Sequence, residues 1–150
     1  MIDQDTFNKN VHFRGSKGLV FIGDEVLVYR RDGKTDKFPY FIDVPGGGRQ
    51  DDESPFMTFK REVAEEFGLE ISDKDLKYSR KYDSIEEKGK FGYFLVAKLS
   101  AEKAHDIHFG TEGSDYFLMP FIEYLELKDA WPIYQERAAD YYASITGTKL

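Results

Sequence analysis

The chain contains no cysteine. Disulfides, thiol nucleophiles and cysteine-ligated metal are therefore excluded. No apolar run approaches the ~18 residues that a membrane-crossing helix needs, so no membrane span and no membrane partner are expected. The opening stretch Met1-Ile2-Asp3-Gln4-Asp5 has neither the basic segment nor the apolar segment of a secretory leader. Both absences lead to the expectation of a cytoplasmic protein. Positive charge is also in deficit, with 21 Lys and Arg against 28 Asp and Glu and a net charge of -7. An acidic chain without an evident basic run is repelled by a nucleic-acid backbone, so no nucleic-acid partner is expected. The three histidines, His12, His105 and His108, show no metal-like pairing and read as surface or packing residues.

What is present suits one globular domain. The 150 residues are 41% hydrophobic and 16% aromatic, enough for a core, and residues 1–150 are expected to form a single domain. Two β-branched runs flank Gly23-Asp24 as a tight hairpin, and the polar stretch 31–37 reads as a surface loop. A short strand is expected within 38–44, ended by Pro45 and three glycines, with a polar loop over 47–53. Ser54 can cap a helix and Pro55 suits its first position, while Phe56, Phe59, Val63 and Phe67 recur at helical spacing and Gly68 is placed to end it. Strands are expected over 76–84, 91–99 and 116–120, a short helical turn over 101–106, and a second helix over 132–144. On that helix Tyr134, Ala138, Tyr141 and Ile145 fall on one stripe. Strands mixed with separated helices imply an α/β (α+β) sandwich rather than a doubly wound parallel sheet.

The densest pattern begins at Gly47. Five residues separate it from Glu53, and seven more lead to Arg61-Glu62-Val63-Ala64-Glu65-Glu66-Phe67-Gly68-Leu69. At average residue frequencies this arrangement arises by accident roughly once in ten million or fewer trials. On a wheel of ~100° per residue, Glu62 and Glu66 lie one turn apart beside the apolar stripe, with Glu65 further out. Three carboxylates thus share one flank, able to converge on hard divalent cations that prefer oxygen ligands and keep substrate phosphates in their shell. Bound ions could neutralise phosphate, activate water and orient it. Gly46, Gly47 and Gly48 let the main chain come close to an ion or a phosphate.

The pattern over 47–69 resembles the full signature of the Nudix hydrolase family, with no departure at any defined position. The resemblance implies the Nudix fold, a mixed β-sheet sandwiched between α-helices. It also implies metal-dependent cleavage of the diphosphate of a nucleoside diphosphate derivative such as a nucleotide-sugar, an ADP-ribose-like compound or a nucleoside triphosphate. Mg²⁺ is the implied cofactor, with Mn²⁺ as substitute. The implied metal ligands are the Gly46 carbonyl, Glu62, Glu65 and Glu66. Arg61 and Glu53 complete the catalytic set as an ion pair that locks loop to helix. In many family members the general base is a later loop glutamate. Here Glu112, in Thr111-Glu112-Gly113-Ser114-Asp115, is the candidate, with Asp115 and the signature glutamates as alternatives.

Base stacking and phosphate binding call for aromatic and cationic side chains, and Arg30, Tyr40, Phe91 and Tyr116 are the substrate-binding candidates. Downstream of Leu69, no marker of the NADH-cleaving, dinucleoside-polyphosphate or ADP-ribose subfamilies stands out. The expected partner is a small nucleotide, and the expected assembly a monomer or homodimer. A non-catalytic nucleotide sensor on the same fold is the alternative, although a pure binder has no need of four glutamates.

Overall fold

A computed structural model describes residues 1–84, 87–110 and 113–147. β1 (Gly15–Ile22) and β2 (Glu25–Arg31) form the expected hairpin, with Gly23 at φ 62° in the turn. β3 (Ile42–Asp43) and β4 (Gly46–Gly48) follow, then α1 (Pro55–Phe67), β5 (Leu76–Asp83), β6 (Phe91–Leu99), β7 (Gly113–Pro120), α2 (Phe121–Glu126) and α3 (Pro132–Thr146). Short 3-10 turns cover Asp73–Asp75 and Ala101–Asp106.

The sheet runs β3-β2-β1-β6-β5, with β4 paired to β1 and β7 to β2. β1 and β6 are parallel and every other strand pair is antiparallel, so the sheet is mixed. Alternate residues of β1, β2 and β6 feed two cores. On one face Val20, Leu27 and Leu95 meet Phe56, Phe59, Val63 and Phe67 of α1. On the other, Leu19, Val28 and Val96 meet Tyr124 of α2 and Ala138 and Tyr141 of α3. Helices therefore cover both faces, as the patterning implies.

α1 begins and ends for local reasons. The Ser54 side chain accepts from the Met57 N–H, Pro55 opens the helix, and Gly68 closes it at φ 68°. Such a cap is worth about 1 kcal/mol. The four stripe residues are 3% exposed or less, and burying each contributes roughly 1.5–3 kcal/mol.

Three details depart from the expectation. The glycines after Pro45 form a strand, because Gly46 to Gly48 lie against Lys17 to Gly15. The six-residue α2 has no side-chain cap, and its sequence gives no helical signal strong enough to notice. Ile145 lies in α3 but is 58% exposed, so the buried stripe ends at Tyr141.

Candidate active site

The site is built where α1 meets β4. Glu62 and Glu66 sit on the flank of α1 beside its apolar stripe and are carried inward with it, to 9% and 2% exposure. The Gly46 N–H donates to Glu66 Oε1 at 2.9 Å, which fixes that carboxylate against the glycine strand. A Cβ built on Gly47 would lie 2.5 Å from the Glu62 carboxyl carbon. With Gly47 bare, the Glu62 carboxylate occupies that space and would have to move aside for any larger residue.

Arg61 organises the entrance. Its Nε donates to Glu53 Oε2 at 2.8 Å and its Nη2 to Glu53 Oε1 at 3.1 Å, a two-pronged pair. Nη2 also donates to the Gly48 carbonyl at 2.8 Å, tying β4 to the helix. Nη1 reaches Glu62 at 2.9 Å and Glu65 at 3.2 Å. The Glu53 hydrogen bonds, with help from Glu62, raise the Arg61 pKa above the usual guanidinium range. Burial pushes Glu53 upward, but hydrogen bonds from Arg61, the Gln50 N–H and Thr58 outweigh it, so its pKa lies below the ordinary carboxylate value. This pair holds loop and helix in one geometry, the supporting role that fixes ligands elsewhere.

Of the sequence-derived ligand set, the structure brings the Gly46 strand, Glu62 and Glu66 together. Glu65 turns outward, its side chain 55% exposed and paired with Arg61. Among the described residues, no three acidic or histidine side chains converge on one point. Two inward carboxylates beside a glycine strand still suit a hard cation that completes its shell with phosphate and water. Glu112 lies outside the described residues. The chain leading to it is anchored at the end of α1, where the Gly110 N–H donates to the Glu66 carbonyl at 2.7 Å.

A cleft of about 270 Å³ opens beside this site, lined by Gly47 and Gly48, Arg14, Lys17, Gly92, Tyr93, Trp131, Tyr134 and Arg137. None of the four substrate-binding candidates lines it. Arg30 is engaged by the Tyr40 carbonyl at 2.8 Å and Asp129 at 3.1 Å. Tyr40 is 62% exposed, Phe91 carries Lys81 over its ring at 3.9 Å, and Tyr116 packs against Phe109. The cleft has aromatic and cationic side chains of its own, Tyr93, Trp131, Tyr134, Arg14, Lys17 and Arg137.

Lys17 is set by a buried hub that sequence reasoning missed. Asp43 is fully buried and accepts from Lys17 at 3.0 Å, Arg31 at 2.8 Å and the Tyr29 hydroxyl at 3.0 Å. Burial, the largest influence on Lys17, pulls its pKa down. Asp43, with smaller contributions from Tyr29, Tyr134 and Glu66, reverses that and leaves it well above the usual value. Burial likewise drives the Tyr29 hydroxyl upward. A lone aspartate between Ile42 and Val44 is the signal that could have revealed the hub, because a charge inside an apolar run needs a partner.

A mixed sheet between helices, with a glycine strand facing buried glutamates on a capped helix, is the architecture of the Nudix class. The model of the NUDIX domain matches residues 12–141, and the chain belongs to that family. No curated protein matches it in sequence. Solved structures do match in fold. A MutT protein from Methanosarcina mazei Go1 is 20% identical, with 91% of this chain and 98% of that one covered at a TM-score of 0.71. A C. elegans Ap4A hydrolase in a binary complex is 15% identical, covering 90% and 100% at 0.66. A bifunctional NMN adenylyltransferase/ADP ribose pyrophosphatase from Francisella tularensis, complexed with AMP and a Mn ion, is 17% identical, covering 91% and 40% at 0.61. Among the described residues, no helix is long and apolar enough to cross a membrane.

Proposed function

We propose that this chain is a metal-dependent hydrolase that cleaves the diphosphate linkage of a nucleoside diphosphate derivative. The observation that carries the reading is the pair of buried carboxylates beside the Gly46–Gly48 strand, Glu66 held by the Gly46 N–H and Glu62 by Arg61, which Glu53 and the Gly48 carbonyl fix in turn. Burying two carboxylates is costly unless charge compensates them. Arg61 pairs with Glu62 at 2.9 Å, and Lys17 attracts Glu66 across the site.

Glu62 and Glu66 would hold Mg²⁺ or Mn²⁺, with the Gly46 carbonyl and Glu65 completing the protein's share. A bound divalent ion would supply charge neutralisation on phosphate and a water of lowered pKa. Gly47, having no side chain, lets the diphosphate approach the carboxylates. Arg61 keeps Glu62 oriented, and Glu65, paired with Arg61 at 3.2 Å, would have to leave that pairing to join the ligands. Glu112 is the proposed general base. The substrate's nucleoside would lie in the cleft, against Trp131 and Tyr134. The Asp43 hub presents Lys17 to its phosphates. The reading is of a cytoplasmic enzyme acting on small nucleotides as a monomer or homodimer.

The test is product analysis with ADP-ribose, NADH, nucleotide-sugars, dinucleoside polyphosphates and nucleoside triphosphates, each with Mg²⁺ and with chelator. Release of a nucleoside monophosphate or pyrophosphate only in the presence of metal is expected. Nucleotide binding with no product from any substrate would replace hydrolysis by a sensing role.

A further inference from the structure

Arg137 stands apart from the other cations of the cleft. Lys17 is compensated by Asp43 and Arg14 by Glu87. Arg137 is only 7% exposed, yet it forms no ion pair among the described residues. Its Nη2 reaches the Asp83 carbonyl at a long 3.4 Å. Its Nε is buried without a hydrogen-bond acceptor. Among the described residues its Nη1 has no acceptor either, and it lies beside Gly92 on the cleft wall. The guanidinium rests against the rings of Tyr82 and Tyr134, with its central carbon 4.5 Å and 5.6 Å from their centroids. These rings fix its plane and exclude water from its faces. They supply no acceptor for its N–H groups.

A buried cation that has lost its water and gained one weak carbonyl, with only the more distant attraction of Glu136 and Asp140, is an unfavourable arrangement in isolation. Burial indeed lowers its pKa below the usual guanidinium value. The arrangement is relieved if an anion enters the cleft, since charge-assisted hydrogen bonds to phosphate or carboxylate are the strong ones and a planar guanidinium recognises them well. An uncharged sugar hydroxyl would relieve it far less. The cleft also borders Gly47 and Gly48, so one ligand can touch Arg137 while its reacting phosphates lie at the glutamates.

We propose that Arg137 is a substrate-binding residue that grips an anionic group beyond the diphosphate engaged at the glutamate helix, so that the substrate carries an additional phosphate, as in a nucleoside triphosphate or a dinucleoside polyphosphate, rather than an uncharged sugar. This rests on the hydrolase reading for the location of the reacting phosphates, and it identifies the substrate class of that same site.

The experiment compares the intact wild-type chain with Arg137→Gln and Arg137→Lys, after thermal melts show that each variant is folded. Inorganic tripolyphosphate is titrated calorimetrically in chelator, and kcat/KM with Mg²⁺ is measured on a nucleoside triphosphate, a dinucleoside polyphosphate and a nucleotide-sugar. Tripolyphosphate should bind the wild type and bind Arg137→Gln at least tenfold more weakly, with Arg137→Lys between. The ratio of kcat/KM on the better polyphosphate substrate to that on the nucleotide-sugar should fall at least tenfold in Arg137→Gln. Whichever polyphosphate substrate loses more identifies the source of the phosphate. Absence of tripolyphosphate binding to wild type, unchanged binding in Arg137→Gln, or equal loss on all substrates overturns the proposal. Arg137-dependent binding with no cleavage of any substrate upholds the anion site and removes the hydrolase reading instead.

Discussion

Replacing Gly47 by alanine should separate the fold from the chemistry. The new methyl would lie 2.5 Å from the Glu62 carboxyl carbon, whereas ordinary contact begins at 3.4 Å, so the carboxylate must retreat by about 0.9 Å (3.4 less 2.5). What it meets is the far end of a flexible side chain, and Gly47 is not among the residues with positive φ, so the backbone tolerates the change. The stability cost is then the weakened Arg61–Glu62 contact, now 2.9 Å and partly exposed. Such pairs are worth about 1 kcal/mol or less, a Tm loss of roughly 2–4 °C for a chain of this size. The catalytic cost is far larger, because a ~1 Å misplacement of a catalytic group can cost on the order of 100-fold. The assay pairs a thermal melt with kcat/KM on the best substrate across a Mg²⁺ titration. Gly46→Ala is the contrast, since its methyl would strike the Ser16 carbonyl at 2.1 Å at φ 131° and should unfold the strand. A folded Gly47→Ala protein with wild-type kcat/KM and unchanged Mg²⁺ dependence would refute the role given to the Glu62 carboxylate.

Three further outcomes are expected. Glu66→Gln keeps an oxygen for the Gly46 N–H, so it should melt within a few degrees of wild type while turnover falls by orders of magnitude; full activity would end the proposed mechanism. Asp43→Ala strands Lys17 and Arg31 without their shared carboxylate and should cost about 3–5 kcal/mol, read as a lower denaturation midpoint at unchanged m-value; an unfolding free energy within about 0.5 kcal/mol of wild type, the scale of ordinary surface changes, would show the hub to be incidental. Glu53 has a pKa depressed below 4.5, so its stabilisation is present above that pH and is lost as pH falls through its folded value. Glu53→Gln should therefore flatten the acid limb of Tm against pH below 4.5, and an acid limb identical to wild type would place the lost protons elsewhere.

What was legible in the sequence was what is locally determined. α1 declared itself through Ser54, Pro55, its apolar spacing and Gly68, all within one element, and its glutamates came with it. β4 did not, because three glycines have no side-chain pattern and their strand exists only through pairing with β1. α2 is too short to show a period. The cleft was illegible for a related reason. Lys17 and Arg137 come from distant parts of the chain, and only the sheet and α3 bring them to one wall, with Asp43 buried behind Lys17. Arg137 in particular sits beside Ala138 on a buried stripe, where a charged residue asks for a ligand or a partner that sequence does not specify. Aromatic content pointed to a stacking surface, but choosing which rings form it depended on the fold.

The parallel pairing of β1 with β6 has a consequence for how the molecule comes into being. Gly15 meets Gly92 and Ile22 meets Leu99, so the strand that carries Lys17 acquires that neighbour only after most of the chain between them has been made. Contacts so far apart in sequence close slowly, because the entropy of the long loop must be overcome first. A nascent chain that has emerged only as far as α1 already holds Glu53, Arg61, Glu62 and Glu66, but lacks the strand against which β1 is completed. Folding intermediates of this protein should therefore show the helix early and nucleotide affinity late, with ligand binding reporting closure of the central strand pair rather than formation of the helix.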